Sequence, residues 1–351
     1  MNSRERFLIS LRNGKPDRVP LIDWLFSQRL FKDTLGIVPD CLYGDLAVRC
    51  GRAIGHDAVW IPFGGYAGTS NAKGVYQDEW GTTYQKDLEV SWPIDAPIDY
   101  PIKSPGDLAA FSPPNAAKAG RLDELRKGIR EAKGELAILG GVTGPFTTAW
   151  MLLGYERLCH WVYEYPQLVK EIFEIAVEYY QEAADQMIRL GVDAVMVAED
   201  LGYSSGLFWS PGLYQEHLFP FLRELIERIR SKNVPIVLHC DGNINEILKD
   251  LVSMKIDALN PIERKACMDI EKVKRDWGKK IALIGNLDLV HLLPNGTPAE
   301  VMTQVKDLIE TVGTDGGYIV ASEHSLNQNI PLENILAIRD AVQKYGGYPI
   351  V

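Results

Sequence analysis

Ile236-Val237-Leu238-His239-Cys240-Asp241-Gly242-Asn243 begins as a buried strand and ends in an imidazole, a thiol and a carboxylate. The stretch Tyr318-Ile319-Val320-Ala321-Ser322-Glu323-His324-Ser325 repeats that form, apolar and partly β-branched until it stops at a carboxylate and an imidazole. A buried strand ends in such chemistry when its tip opens onto a site. On extended backbone, residues i and i+2 point the same way, so His239 and Asp241 share a direction that Cys240 opposes. If the two strands belong to one parallel sheet or barrel, His239, Asp241 and His324 converge, and three such groups can hold a divalent metal. Three protein ligands with a fourth position open are the pattern of a catalytic rather than a structural zinc.

Working outward, short apolar segments recur at Val19–Ile22, Ala58–Pro62, Leu136–Leu139, Ala194–Ala198, Ile236–Leu238, Ala258–Leu259, Ile281–Ile284 and Tyr318–Ala321. Helical patterns separate them. Gln167 to Leu190 carries apolar residues at helical spacing and stops at Gly191; Ser210-Pro211 and Thr297-Pro298-Ala299-Glu300 are helix starts. Pro220 implies a kink or a second start after Ser210. Alternating strands and helices imply parallel strands joined by right-handed crossovers, and eight such units close a (β/α)8 TIM barrel. Residues 1–351 are therefore expected to form one α/β barrel domain, with an N-terminal helical extension over residues 1–18. The Gly-, Pro- and Trp-rich stretch from about Gly64 to Pro114 is expected to be a β-hairpin excursion after the second strand.

Barrels carry their active sites at the carboxyl ends of the strands. Those ends read Asp23-Trp24, Gly64-Gly65, Thr143, Glu199-Asp200, His239 with Asp241, Asn260 with Glu263, Asn286 with Asp288, and Glu323-His324. Glu199, Asp200, Glu263 and Asn286 are thus candidate catalytic groups, and Glu199 and Glu263 are equal candidates for a fourth metal ligand. Adjacent carboxylates repel, so Glu199 or Asp200 requires a cation, a proton or a donor close by. The plainer reading makes Asp241 a helix cap and His239 a hydrogen-bonded core residue. Trp24, Phe63, Tyr66, Phe146 and Tyr203 fall after strands and suggest a mouth suited to a flat apolar or aromatic ligand. Gly140-Gly141-Val142-Thr143-Gly144-Pro145 matches neither nucleotide-binding glycine pattern; its glycines fit a close backbone approach instead.

Composition narrows the rest. The chain has 351 residues, 46% hydrophobic and 24% charged, with a formal charge of −10. That acidity argues against nucleic acid or an anionic membrane surface as the main partner. No window of eighteen apolar residues predicts a membrane span. The five scattered cysteines form no disulfide framework, and a reducing cytoplasm is the expected compartment. The sequence leaves the oligomeric state open, a homodimer included.

Arg4-Glu5-Arg6-Phe7-Leu8 with Gly14-Lys15-Pro16-Asp17-Arg18-Val19-Pro20, Gly144-Pro145-Phe146-Thr147, Ser210-Pro211, His239-Cys240-Asp241-Gly242, Gly285-Asn286-Leu287-Asp288 and Pro331-Leu332-Glu333-Asn334 together resemble the uroporphyrinogen decarboxylase superfamily. The decarboxylases' Arg-Gln-Ala-Gly-Arg-Tyr motif is missing from the corresponding stretch, Leu25 to Lys32. The resemblance therefore points to the corrinoid-dependent methyltransferase branch. Its coenzyme M members bind zinc through His-x-Cys and a distant Cys, which fall here on His239, Asp241 and His324. Carboxylate and imidazole in place of two thiolates make a harder centre, suited to polarising an oxygen. The resemblance implies methyl transfer between a small methylated substrate, such as a methoxylated aromatic, and the cobalt of a corrinoid protein. No Asp-x-His-x-x-Gly signature is present, so cobalamin is expected on that separate partner. A metal-free decarboxylase using Arg29 with Asp57 or Tyr66 is the rival enzyme. The same barrel would also suit a binding or assembly protein without chemistry, or a zinc hydrolase that needs no corrinoid.

Overall fold

The computed structural model describes residues 1–64, 74–85, 92 and 95–350. Its centre is a parallel seven-stranded sheet, β1 (Ala58–Pro62), β2 (Ala137–Thr143), β3 (Ala194–Ala198), β4 (Ile236–His239), β5 (Ala258–Asn260), β6 (Ala282–Leu287) and β7 (Tyr318–Ser322). Each strand pairs with its successor in the chain, and every pairing is parallel. Helices occupy the crossovers, which gives the TIM-barrel-like α/β fold that the alternating pattern predicts.

The expected first strand, Val19–Ile22, is not a regular strand. It is reduced to a single parallel bridge between Leu21 and Val320. The physical reason is Pro20, which has no N–H for a ladder. The segment still spans the two edges of the sheet. Val320 N–H donates to the Pro20 carbonyl at 2.9 Å and Ile22 N–H to the Val320 carbonyl at 3.0 Å, while Asp57 N–H donates to the Leu21 carbonyl at 2.7 Å. An irregular piece of chain thus stands where the eighth strand was expected.

Helix α1 (Ser3–Leu11) starts at a capping box formed by Asn2 and Glu5. Its Phe7 and Leu11 are buried in the interior cluster with Ala58, Ala137, Ala194, Ala258 and Ala282. These alanines open or lie near the start of their strands, and their small side chains leave room for the helix at the amino end. Beneath it lies an ionic network. Asp57, whose side chain has no exposure, accepts from Arg6 Nη1 at 2.6 Å, from Arg18 Nη1 at 3.0 Å and from the Leu21 N–H at 2.9 Å.

The helix expected to end at Gly191 runs over Pro166–Leu190, with Gly191 left-handed at φ 101°. After Ser210 the chain makes a short helix, then a wider turn over Tyr214–Leu218, then restarts at Phe219 with Pro220 in the first turn. The excursion after β1 contains an antiparallel three-stranded sheet, Val75–Gln77, Thr83–Gln85 and Ala96–Asp99, one strand more than a hairpin. Gly141 in β2 shows why that strand carries glycine: a Cβ there would sit 2.3 Å from the Trp60 indole nitrogen. No described helix is long and apolar enough to cross a membrane.

Candidate metal centre

β4 delivers His239, the turn after it delivers Asp241, and the loop after β7 delivers His324. One ligand atom from each lies within 4.8 Å of the others. The His239 Nε2 is 3.6 Å from one Asp241 oxygen, and the His324 Nε2 is 3.4 Å from the other. Both imidazoles therefore present the same nitrogen to one carboxylate. Their Nδ1 atoms are engaged elsewhere, His239 with Asn260 Oδ1 at 2.6 Å and His324 with Ser325 Oγ at 2.9 Å. Gly242, at φ +83°, lets the chain turn directly after Asp241, where a Cβ would meet the Gly202 backbone at 2.3 Å.

The charges are arranged around the Asp241 carboxylate. Burial opposes the charge on His239, yet Asp241 and then Asp200 outweigh it and push the imidazole up to about 9. Burial also opposes ionisation of Asp241, but His239 and His324 pull its carboxyl below the usual range. Burial and the neighbouring Asp241 raise Asp200, while burial lowers His324. The Asp241 Oδ1 is buried without a hydrogen-bond partner. An orphaned carboxylate oxygen between two oriented imidazole nitrogens is a donor set that fits a divalent cation. Metal binding requires neutral imidazole. His324 and Asp241 are already in the ligating form near neutrality, so His239 sets the pH dependence. Zinc affinity is expected to rise up to about tenfold per pH unit until the His239 value of about 9 is passed, then level off. Chelator-competition titrations across that range check this, and a flat profile would contradict it.

The two adjacent carboxylates after β3 face opposite ways, as i and i+1 on an extended chain must. Asp200 turns to the cluster, 3.9 Å from the His239 Nε2, and accepts from the Asp241 N–H at 3.2 Å. Glu199 turns outward and is completely buried, accepting from the Phe146 and Thr147 N–H groups at 2.9 Å each. It caps the helix Pro145–Leu153, and burial raises its carboxyl to about 8. Glu263 accepts from the Gly242 N–H at 2.7 Å and pairs with Lys265 at 2.9 Å, bracing the loop that carries Asp241. Asn286 donates to the Ile262 carbonyl at 2.8 Å. Neither Glu199 nor Glu263 is part of the donor cluster.

Of the expected mouth aromatics, Trp24 lies against the site, its ring centroid 4.2 Å from that of His239 and 5.4 Å from that of His324. Tyr203 is exposed on a two-residue hairpin and packs on Phe208. Phe63 packs against Tyr179 and Arg121. Phe146 has no exposure and sits among Phe208, Trp209 and Tyr214, because Pro145 starts a helix where a loop was expected. Tyr66 lies outside the described residues. Two contributors are not among the expected site residues: Trp60, packed on Trp24 at 4.9 Å, and Lys265, paired with Glu263. Asn260, which the strand-end rule does single out, sets its side chain on His239.

The sequence model of the uroporphyrinogen decarboxylase (URO-D) family matches residues 90–345. Methylated-thiol–coenzyme M methyltransferase of Methanosarcina mazei is 27% identical over 223 residues, 62% of this chain and 55% of that protein. Methylcobamide:CoM methyltransferase MtaA of Methanosarcina barkeri is 27% identical over 225 residues, 63% of this chain and 62% of the relative. The uroporphyrinogen decarboxylase of Coxiella burnetii is 24% identical over 233 residues, 64% of this chain and 62% of that enzyme. The matches thus span less than two thirds of each relative's length. A solved structure of a methyltransferase from Methanosarcina mazei superposes with a TM-score of 0.76 at 22% identity, covering 98% of this chain and 99% of that one, which shows a common fold. With its matching sequence over most of the barrel, the chain belongs to the uroporphyrinogen decarboxylase family.

Proposed function

We propose that this protein is a metal-assisted methyltransferase that moves a methyl group between a small oxygen- or nitrogen-methylated substrate and the cobalt of a separate corrinoid protein. The observation that carries the reading is the convergence of His239, Asp241 and His324 at the carboxyl end of the sheet. These residues would hold zinc, which when bound supplies Lewis acidity toward the substrate heteroatom. His239 and His324 hold their Nε2 atoms toward the site, Asp241 supplies the negative charge, and Asp200 beside them is a proton acceptor of raised affinity. Trp24 gives an apolar face against which a flat methoxylated aromatic can lie.

The donor set favours oxygen or nitrogen over sulfur. Among the described residues no thiol joins the cluster, and Cys240 is buried with its sulfur accepting from the Leu201 N–H. Two of the residues named for the decarboxylase reading stand away from the cluster. Asp57 lies at the amino end of β1 in the Arg6–Arg18 network, and Arg29 is half-exposed beside Asp33. The test is reconstitution of zinc-loaded protein with a reduced corrinoid protein and methoxylated aromatics. Methylation of the corrinoid, read from its absorption spectrum, is the expected result. Carbon dioxide release from a carboxylic acid, with no methyl transfer from any donor, would overturn it.

A further inference from the structure

We propose that Asn260 is a positioning residue for this centre, its side-chain carbonyl selecting the His239 tautomer that turns the Nε2 lone pair toward Asp241 and His324. The inference rests on the triad being a metal site. In the parallel pairing of β4 and β5, His239 and Asn260 are register partners, so the two side chains rise from adjacent strands at one level. Both are buried, and Asn260 Oδ1 lies 2.6 Å from His239 Nδ1.

The orientation of the amide is fixed by its other end. Asn260 Nδ2 donates to the Ile284 carbonyl at 3.4 Å, which leaves Oδ1 as the atom facing the imidazole. An accepting oxygen requires a proton on Nδ1, and in the neutral ring that leaves Nε2 as the lone-pair nitrogen. Trp24 cannot make this selection. It packs on the face of the ring at 4.2 Å, and a half-turn about the Cβ–Cγ bond leaves that plane unchanged while exchanging the two nitrogen-bearing edges. Of these two neighbours, only the Asn260 hydrogen bond distinguishes them. Such partners of metal-ligating histidines typically carry 10–100-fold in metal affinity.

The experiment measures zinc affinity by chelator competition in the wild-type protein, Asn260→Ala and Asn260→Asp. Asn260→Ala is expected to weaken binding about 10–100-fold, and Asn260→Asp, which keeps an acceptor toward Nδ1, to recover most of that loss. Unchanged affinity in Asn260→Ala, or equal loss in both variants, overturns the proposal while leaving the metal site standing. A wild-type protein that binds no zinc overturns the metal reading itself, and this inference with it. A second readout needs no variant. In zinc-loaded wild-type protein labelled with ¹⁵N-histidine, the His239 Nδ1–H resonance is expected to be protected from solvent exchange, and its absence would also defeat the proposal.

Discussion

His239→Ala and His324→Ala are each expected to reduce zinc from about one ion per chain to none, and methyl transfer to the corrinoid by about 10³-fold or more, beyond the 10–100-fold typical of losing an outer partner. The two substitutions should act alike because the geometry is nearly symmetrical. Each imidazole faces one oxygen of the same carboxylate, at 3.6 and 3.4 Å, and each is held from behind through Nδ1. Removing either leaves two donors, too few for the three-ligand pattern of a catalytic zinc. The variants should nevertheless fold. His324 keeps about a third of its side chain exposed, and the charge that truncating His239 leaves uncompensated on Asp241 and Asp200 can be met by a proton on Asp200, whose carboxyl burial already raises. Metal analysis of protein purified without chelator, beside the transfer assay, checks both outcomes. Full zinc occupancy in both variants would end the metal reading. Lost transfer with zinc retained would instead move the two histidines from metal ligation to substrate contact.

How far the sequence reveals this site depends on which interactions are local. The direction shared by His239 and Asp241 follows from strand geometry alone, and so does the opposition of Glu199 and Asp200, which the strand-end rule by itself groups as one pair. Alternation along the chain turns Glu199 outward, toward the helix that Gly144-Pro145 begins. Phe146 departs from its expected place at the mouth for a reason found at the same point, since Pro145 at the first helical position is a start signal and buries the next residue. The pairing of Asn260 with His239 is not legible, because it depends on the register between β4 and β5, which lies in no local pattern. The expected first strand shows a limit of a different kind. Val19–Ile22 has strand composition, but Pro20 removes a donor and the segment survives as one bridge supported by side chains from elsewhere.

That support makes Asp57 the position with the largest expected effect on stability. Asp57→Ala is expected to cost about 3–5 kcal/mol, since it leaves the charges of Arg6 and Arg18 with fewer partners in a nearly closed space. The Asp57 carboxylate takes both oxygens into the network, accepting from Arg6, from two nitrogens of Arg18 and from the Leu21 N–H. The Arg6 side chain is only 9% exposed, so water cannot replace what it loses, although Asp17 still holds its other edge at 2.6 and 2.8 Å. The Leu21 N–H would be orphaned at the point where the irregular segment bridges β1 and β7. For a chain of this size the loss corresponds to a thermal midpoint lower by roughly 4–7 °C. Because Asp57 precedes β1 while His239 ends β4 of the same parallel sheet, the damage falls at the end opposite the candidate metal centre. Folded Asp57→Ala protein at low temperature should therefore keep its zinc and its methyl transfer. Thermal unfolding followed by circular dichroism, beside the transfer assay, separates a structural role from a chemical one. A variant as stable as wild type but without activity would place Asp57 in the chemistry, as one form of the decarboxylase reading has it, whereas a destabilised variant that still turns over assigns it to closing the barrel.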